Sequence, residues 1–251
     1  MNDLSKHRDN ILNNGFTVIE NIYSNEEIEN LSLKINKADK SNPTFRKTDD
    51  LFAIRQFLKE VPDVNKVVFN DKLRGIITKL FGQDYFAVKS IYFDKPEKSN
   101  WFVAWHQDLT ISANKKVEID GYGPWTIKQN QFAVQPPINI LKDNFTIRIH
   151  LDDTNAGNGA LKVIPGSHLK DIYRAENIDW SKEIESVCDV KKGGIMIMKP
   201  LLLHASNRTI NNKKRRVIHI EFSRVDLPDE MQWSEKLNSF AIKKSPLPGE
   251  I

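Results

Sequence analysis

Two segments of this chain alternate with a strict period of two, and their polar sides carry reactive residues rather than filler. In the stretch from Phe145 to Asp152, Phe145, Ile147, Ile149 and Leu151 fall on one side and Thr146, Arg148, His150 and Asp152 on the other. Successive side chains of a β-strand project to opposite faces, so this pattern reads as a strand with one greasy and one chemical face. The stretch from Val217 to Phe222 repeats it: Ile218, Ile220 and Phe222 alternate with Val217, His219 and Glu221, and Arg215 shares the polar side. One such strand can simply be wet on its polar face. Two that carry arginine and histidine point to the mouth or interior of a barrel that holds a polar ligand.

The rest of the chain supplies the frame. Ser24 and Glu27 have the spacing of a capping box, and Ile28, Leu31 and Ile35 then share one helical face. Leu73, Ile76, Ile77, Leu80 and Phe81 keep the spacing of an amphipathic helix, with Gly82 placed to end it. From Tyr85 onward short apolar runs (Leu161 to Ile164, Gly194 to Met198, Leu201 to His204) are separated by Asn-Gly, Pro-Gly and Gly-Gly turns. Early helices followed by many short strands predict a mainly β fold, a sandwich or barrel with helices flanking one side. At 251 residues and 39% hydrophobic content the chain can close one core. We read 1–251 as a single domain: a mainly helical buttress over 1–84, a β core over 85–225 and a tail over 226–251 that wraps the surface. The stretch from Gly121 to Pro137, with Trp125, Gln129, Gln131 and Gln135, reads as a long loop that serves as a lid or substrate wall, Gln135 being the contact.

Several classes of function are disfavoured by composition. With 37 basic against 33 acidic residues, the surplus of +4 is spread along the chain and does not mark a nucleic-acid binder. The single cysteine, Cys188, excludes an internal disulfide and a cysteine-rich metal site, which fits a reducing compartment, the cytoplasm being the simplest. No stretch approaches the ~20 apolar residues of a membrane span, and the opening residues lack the apolar core of a signal peptide.

The reactive constellation lies between the two alternating strands and just before them. Trp105-His106-Gln107-Asp108 follows an aromatic stretch and sits at a strand end. Residues two apart in an extended segment project on one side, so His106 and Asp108 can offer an imidazole and a carboxylate to one ion. His204, closing the run Leu201-Leu202-Leu203, supplies a third ligand. Two histidines and one carboxylate form the facial triad of non-haem iron(II), which leaves positions open for a cosubstrate and O2. The same donors also serve hydrolytic zinc. Arg215 favours iron, because a guanidinium on the polar face of the next strand can grip the distal carboxylate of a cosubstrate, and a zinc hydrolase has no evident use for it. Ser206 can donate a hydroxyl to that carboxylate.

Taken together, Trp105-His106-Gln107-Asp108, the stretch from Asn158 through Gly159, Pro165 and Gly166 to His168, His204-Ala205-Ser206 and Arg215-Arg216 resemble the phytanoyl-CoA dioxygenase family in order and spacing. The resemblance implies a double-stranded β-helix, the jelly roll of cupin-like proteins, with flanking helices. It implies iron(II) held by His106, Asp108 and His204, 2-oxoglutarate held by Arg215 and Ser206, and Gln107 as a lesser contact. It also implies a dioxygenase that hydroxylates a small-molecule substrate, since related halogenases replace the carboxylate ligand by a small residue and this chain keeps Asp108.

Other histidines are read as structural. His168 follows a Pro-Gly turn, and His150 and His219 lie on polar strand faces as buried, satisfied groups or substrate contacts. His7, in a polar segment, reads as exposed. Arg148 stands where the family's best-known member has an aromatic residue; we expect it either to bind a carboxylate of substrate or 2-oxoglutarate, or to pair with Asp152 or Glu221. The alternatives to an oxygenase are a zinc hydrolase on a similar barrel and a jelly-roll module that binds a ligand without turnover. An intact set of three ligands plus Arg215 speaks against the latter.

Overall fold

The computed structural model describes residues 4–38, 41–42, 44–48, 52–97, 99, 101–128 and 131–238. In chain order the elements are α1 (Ser5–Asn14), β1 (Phe16–Ile19), α2 (Asn25–Lys37), β2 (Phe45–Lys47), β3 (Phe52–Arg55), α3 (Phe57–Glu60), α4 (Asn65–Val68) and α5 (Asp71–Leu80). There follow β4 (Phe86–Lys95), β5 (Val103–His106), β6 (Ile111–Ala113), β7 (Trp125–Lys128), β8 (Gln131–Val134), α6 (Ile138–Asp143), β9 (Phe145–His150) and β10 (Leu161–Val163). The last four are β11 (Ser186–Val187), β12 (Ile195–Met198), β13 (His204–Ser206) and β14 (Arg215–Ser223). Among the described residues no helix is long and apolar enough to cross a membrane.

Hydrophobic alternation explains the layers. The strands form a seven-stranded antiparallel sheet in the order β1-β12-β9-β14-β4-β3-β2, a four-stranded sheet β11-β10-β13-β5, and a small third sheet β6-β8-β7. Phe145, Ile147 and Ile149 of β9 and Ile218, Ile220 and Phe222 of β14 pack with Ile28, Leu31, Leu73 and Ile77 of α2 and α5 in the main core. The other faces of β9 and β14 are buried as well, because they look toward the four-stranded sheet. This is a jelly roll, mainly β, with helices on one side.

The capping box of α2 forms in both directions: Glu27 N–H donates to Ser24 Oγ and Ser24 N–H to Glu27 Oε2, at 3.2 and 2.8 Å. Gly82 ends α5 with φ +102°. Three expectations need correction. The first third also contributes strands, β1 pairing with β12 and β2–β3 extending the large sheet beyond β4; runs of three or four residues are too short to display a period. The stretch from Gly121 to Pro137 is not a bare loop but contains the β7–β8 hairpin, and Gln129 lies outside the described residues. The segment after Leu227 does not simply wrap the surface, since Leu227, Met231 and Trp233 are buried in a second core cluster and Leu237 bridges Ala87; residues 239–251 lie outside the described residues.

Candidate metal and cosubstrate site

Between the two larger sheets lies a cavity of about 250 Å³, reached by His106, Asp108, His204, Ser206 and Arg215. His106 is the last residue of β5 and pairs directly with His204, the first of β13. His204 therefore opens a strand, and the leucines before it form a buried turn rather than an apolar strand. Asp108 is fixed by its N–H, which donates to Pro200 O at 2.9 Å. The imidazole and carboxylate ligand atoms of the three residues lie within 4.8 Å of one another. His204 Nε2 is 3.8 Å from Asp108 Oδ2 and His106 Nε2 is 4.0 Å from Asp108 Oδ1.

The backbone sets the tautomers. His106 Nδ1 lies 2.8 Å from Ala104 O and His204 Nδ1 lies 2.9 Å from Leu202 O. A carbonyl only accepts, so each Nδ1 carries the proton and each Nε2 turns a lone pair toward the other ligands. Burial pushes His204 down to about 4, against the pull of Asp108, so its imidazole is neutral near pH 7. Burial also opposes ionisation of Asp108, but His204, His219, Lys89 and His106 around it outweigh that and hold its carboxyl below the ordinary carboxylate range. Asp108 Oδ2 is buried with no hydrogen-bond partner among the described residues. Two convergent lone pairs and an orphaned carboxylate oxygen are the donor set a divalent cation satisfies.

A cationic region adjoins this trio. Arg215 is 3% exposed, and among the described residues its Nε and Nη1 have no hydrogen-bond partner. Burial, then the nearby Arg148, pulls it down to about 9. Arg148 is likewise buried, lowered to about 10 mainly by desolvation, with Nε unpartnered. It pairs with neither acid expected of it. Asp152 is bound by Arg216 at 2.8 and 2.9 Å, and Glu221 by Lys89 at 2.6 Å. Arg148 Nη1 instead donates to His219 Nδ1 at 3.1 Å, which leaves His219 Nε2–H to donate to Glu221 Oε1 at 3.1 Å. Asp108, His219 and Glu221 form a second close group of ligand types, but the Lys89 ammonium already supplies its cation.

Not every expected contact reaches the cavity. Gln107 lies between two residues that project inward, so it projects outward; its Nε2 donates to Leu201 O and Asp171 O at 2.6 and 2.8 Å, and its Oε1 accepts from Tyr173 N–H at 2.9 Å. It braces the ligand segment rather than touching the cavity. Ser206 reaches the cavity, but its hydroxyl donates to Gly159 O at 2.9 Å, so only its lone pairs face a ligand. Gly159 sits at φ +79°, and a Cβ there would lie 2.7 Å from Asn207 O and from Lys95 Nζ, which explains a glycine beside Ser206. Gln135 does not line the cavity; its backbone bonds to Gly123 and Pro124.

His168 is structural, with Nε2 3.1 Å from Leu12 O. His150 bonds Thr154 Oγ1 through Nδ1 at 2.8 Å, and its Nε2 is orphaned. Burial, then Arg148 and Arg215, keeps it well below the usual histidine range. His7 is half-buried, 2.8 Å from Thr17 Oγ1, rather than exposed.

Sequence reasoning missed Lys89 and Arg55, which also line the cavity. Lys89 shares the inward face of β4 with Ile91 and Phe93, a period-two signal, but its pairing with Glu221 requires the strand register. A larger hollow of about 490 Å³ lies elsewhere, between α1, the end of α5 and Leu201. Its walls are mainly apolar and none of His106, Asp108 and His204 reaches it, so size does not mark the reactive site.

Comparison with known proteins agrees with this architecture. The fold is similar to EctD from S. alaskensis in its apoform, at TM-score 0.69 and 16% identity, covering 93% of this chain and 86% of that one. It is also similar to the non-heme alpha ketoglutarate dependent carbocyclase SnoK from nogalamycin biosynthesis, at TM-score 0.66 and 15% identity, covering 90% and 85%. A third likeness is to HygX from Streptomyces hygroscopicus with nickel, 2-oxoglutarate and hygromycin B bound, at TM-score 0.61 and 16% identity, covering 87% and 86%. The Caenorhabditis elegans phytanoyl-CoA dioxygenase domain-containing protein 1 homolog is 24% identical over 202 residues, 71% of this chain. That match spans 61% of the curated relative's length. The family model for phytanoyl-CoA dioxygenase (PhyH) matches residues 11–217, and the chain belongs to that family.

Proposed function

We propose that this protein is an iron(II)- and 2-oxoglutarate-dependent dioxygenase that hydroxylates a C–H bond of a small molecule. Family membership supports an oxidoreductase of this type, and a structural neighbour crystallised with nickel and 2-oxoglutarate supports the cosubstrate. The observation that carries the reading is local. Three ligand side chains converge within 4.8 Å, and Arg215, whose Nε and Nη1 have no partner among the described residues, lines the same cavity.

His106, Asp108 and His204 would hold the metal, and Arg215 would bind the distal carboxylate of 2-oxoglutarate through two parallel N–H donors. Iron(II), 2-oxoglutarate and O2 together supply the oxidising chemistry, with succinate and carbon dioxide as coproducts. The chain's own work is positional. Ala104 O and Leu202 O fix the imidazole tautomers, Pro200 O fixes the carboxylate segment, and the leucine turn behind His204 excludes water.

The test is O2 consumption and succinate release by the iron(II)-loaded protein with 2-oxoglutarate and ascorbate. We expect both to depend on iron(II) and on 2-oxoglutarate. Metal-dependent ester or amide hydrolysis by the zinc form, with no binding of 2-oxoglutarate to the iron form, would remove the proposal in favour of a hydrolase. Binding of 2-oxoglutarate with no turnover toward any substrate would leave a ligand-binding module.

A further inference from the structure

Strand register shows which cations surround the candidate metal position. Arg55 pairs with Ile91, Ile91 with His219, and His219 with Arg148, so these four residues form one row across β3, β4, β14 and β9. All four line the cavity. His219 lies in reach of Asp108, so the metal trio stands over the middle of this row. Arg215 lies on the same strand as His219, and a cosubstrate bound to it would run along β14. Arg55 lies in the perpendicular direction, two strands away, or ~10 Å at the usual strand spacing. Between Arg55 and the trio the wall is made by Ile91, Phe93 and Trp101, with Lys89, paired to Glu221, beside Ile91.

Charge accounting assigns most of the cations a partner. Lys89 has Glu221, Arg148 donates to His219, and Arg215 would have the cosubstrate. Arg55 has no acidic partner among the described residues, and the neighbouring Arg46 adds to the burial that lowers its pKa. Glu235 shares a small hollow with Arg55 and Lys89. It spends one oxygen on Ser90, and burial pushes it up to about 7, so it is a poor counter-ion near neutrality. Directly after Arg55, Gln56 adopts a left-handed backbone at φ +51°.

We propose that the substrate is a small carboxylate with an apolar body, its carboxylate held by Arg55 and its body laid along Ile91, Phe93 and Trp101 toward His106 and His204. This rests on the iron and 2-oxoglutarate reading of the site. The ~10 Å separation sets the reach required: the reacting carbon lies several bonds from the carboxylate. Arg55 acts by orienting the molecule.

The test loads the full-length protein with manganese(II) and N-oxalylglycine, an unreactive stand-in for 2-oxoglutarate that occupies Arg215. Matched acids and amides, 3-phenylpropanoate with 3-phenylpropanamide and octanoate with octanamide, are then titrated by calorimetry. At least one acid is expected to bind about tenfold or more tightly than its amide, and Arg55→Gln is expected to abolish that preference while leaving N-oxalylglycine affinity and the thermal midpoint unchanged. Equal binding of acid and amide, no binding of either, or a preference that survives Arg55→Gln overturns the proposal. A preference lost only in Arg148→Gln overturns it too, by moving the anion to the other end of the row. Failure of N-oxalylglycine to bind the manganese form would instead strike the underlying reading of the site.

Discussion

Replacing Gln107 by leucine separates a brace from a cosubstrate contact. The side chain is 8% exposed and makes three hydrogen bonds to backbone groups of Leu201, Asp171 and Tyr173, at 2.6, 2.8 and 2.9 Å. Each such bond is worth about 1 kcal/mol net, and a buried carbonyl or N–H left behind costs somewhat more, so Gln107→Leu is expected to destabilise the fold by about 3 kcal/mol. For a chain of this size that is a fall of roughly 6–12 °C in thermal midpoint. Leucine fills a similar volume, so the loss reports hydrogen bonding rather than a cavity. The assay pairs urea unfolding with calorimetric titration of 2-oxoglutarate into the manganese-loaded protein. Affinity for 2-oxoglutarate should change less than about twofold, because the amide faces away from Arg215. Stability within about 0.5 kcal/mol of the parent, with a tenfold loss of affinity, would refute the outward orientation.

Three further outcomes are expected. Asp108→Ala and His204→Ala should each retain the far-ultraviolet spectrum yet lose stoichiometric iron or manganese after desalting, read by elemental analysis; full retention by either would contradict the ligand set. Arg215→Met should weaken 2-oxoglutarate binding by about 30-fold or more, the worth of a bidentate charge-assisted pair, while the ligand-free protein is no less stable, because an unpaired buried cation is removed; an unchanged dissociation constant counts against it. Glu235 has a native pKa raised to about 7 from 4.5 by burial, so its contribution to stability is full below pH 4.5 and lost as pH rises through 7. Glu235→Gln should therefore gain on the parent by up to about 3 kcal/mol between pH 5 and pH 8 in urea unfolding, and a pH-independent difference would contradict the buried acid.

The sequence carried the site's chemistry more clearly than its surroundings, and particular residues show why. Ser24 with Glu27, and the alternation through β9 and β14, are local signals, and each appears in the fold as expected. His106 and Asp108 were legible as neighbours because two residues apart on an extended segment means one side. The same rule places Gln107 on the other side, so its outward turn was available from the sequence. The strand pairing of His204 with His106 is a long-range fact that no local period encodes; only the ordered motif suggested it. Arg55 and Lys89 were invisible for the same reason, since their meaning depends on register with β4 and β14. The burial of Trp233 and Met231 was masked by the Lys, Ser and Pro that surround them in the chain.

The electrostatics of the site and the identity of its ligands are two sides of one physical problem. Arg148 and Arg215 stay charged at neutral pH even after burial lowers them to about 10 and 9, and neither has a carboxylate partner among the described residues. A fold optimised for stability alone would replace such cations with apolar side chains, often at a gain of about 1–4 kcal/mol. Burying them next to one another is worse still, because each disfavours the other's charge. The arrangement becomes sensible only when anions complete it. On the proposed function a dicarboxylate at Arg215 would balance one guanidinium, and a metal held by His106, Asp108 and His204 would supply the cation that the orphaned carboxylate oxygen of Asp108 lacks. What this leaves over is positive charge at Arg148 and at Arg55, on either side of the metal position, and an enzyme that tolerates it has a reason to admit a further negative group. Specificity for acids over their neutral analogues would then follow from the repulsion among these cations, which a neutral molecule of the same shape cannot relieve.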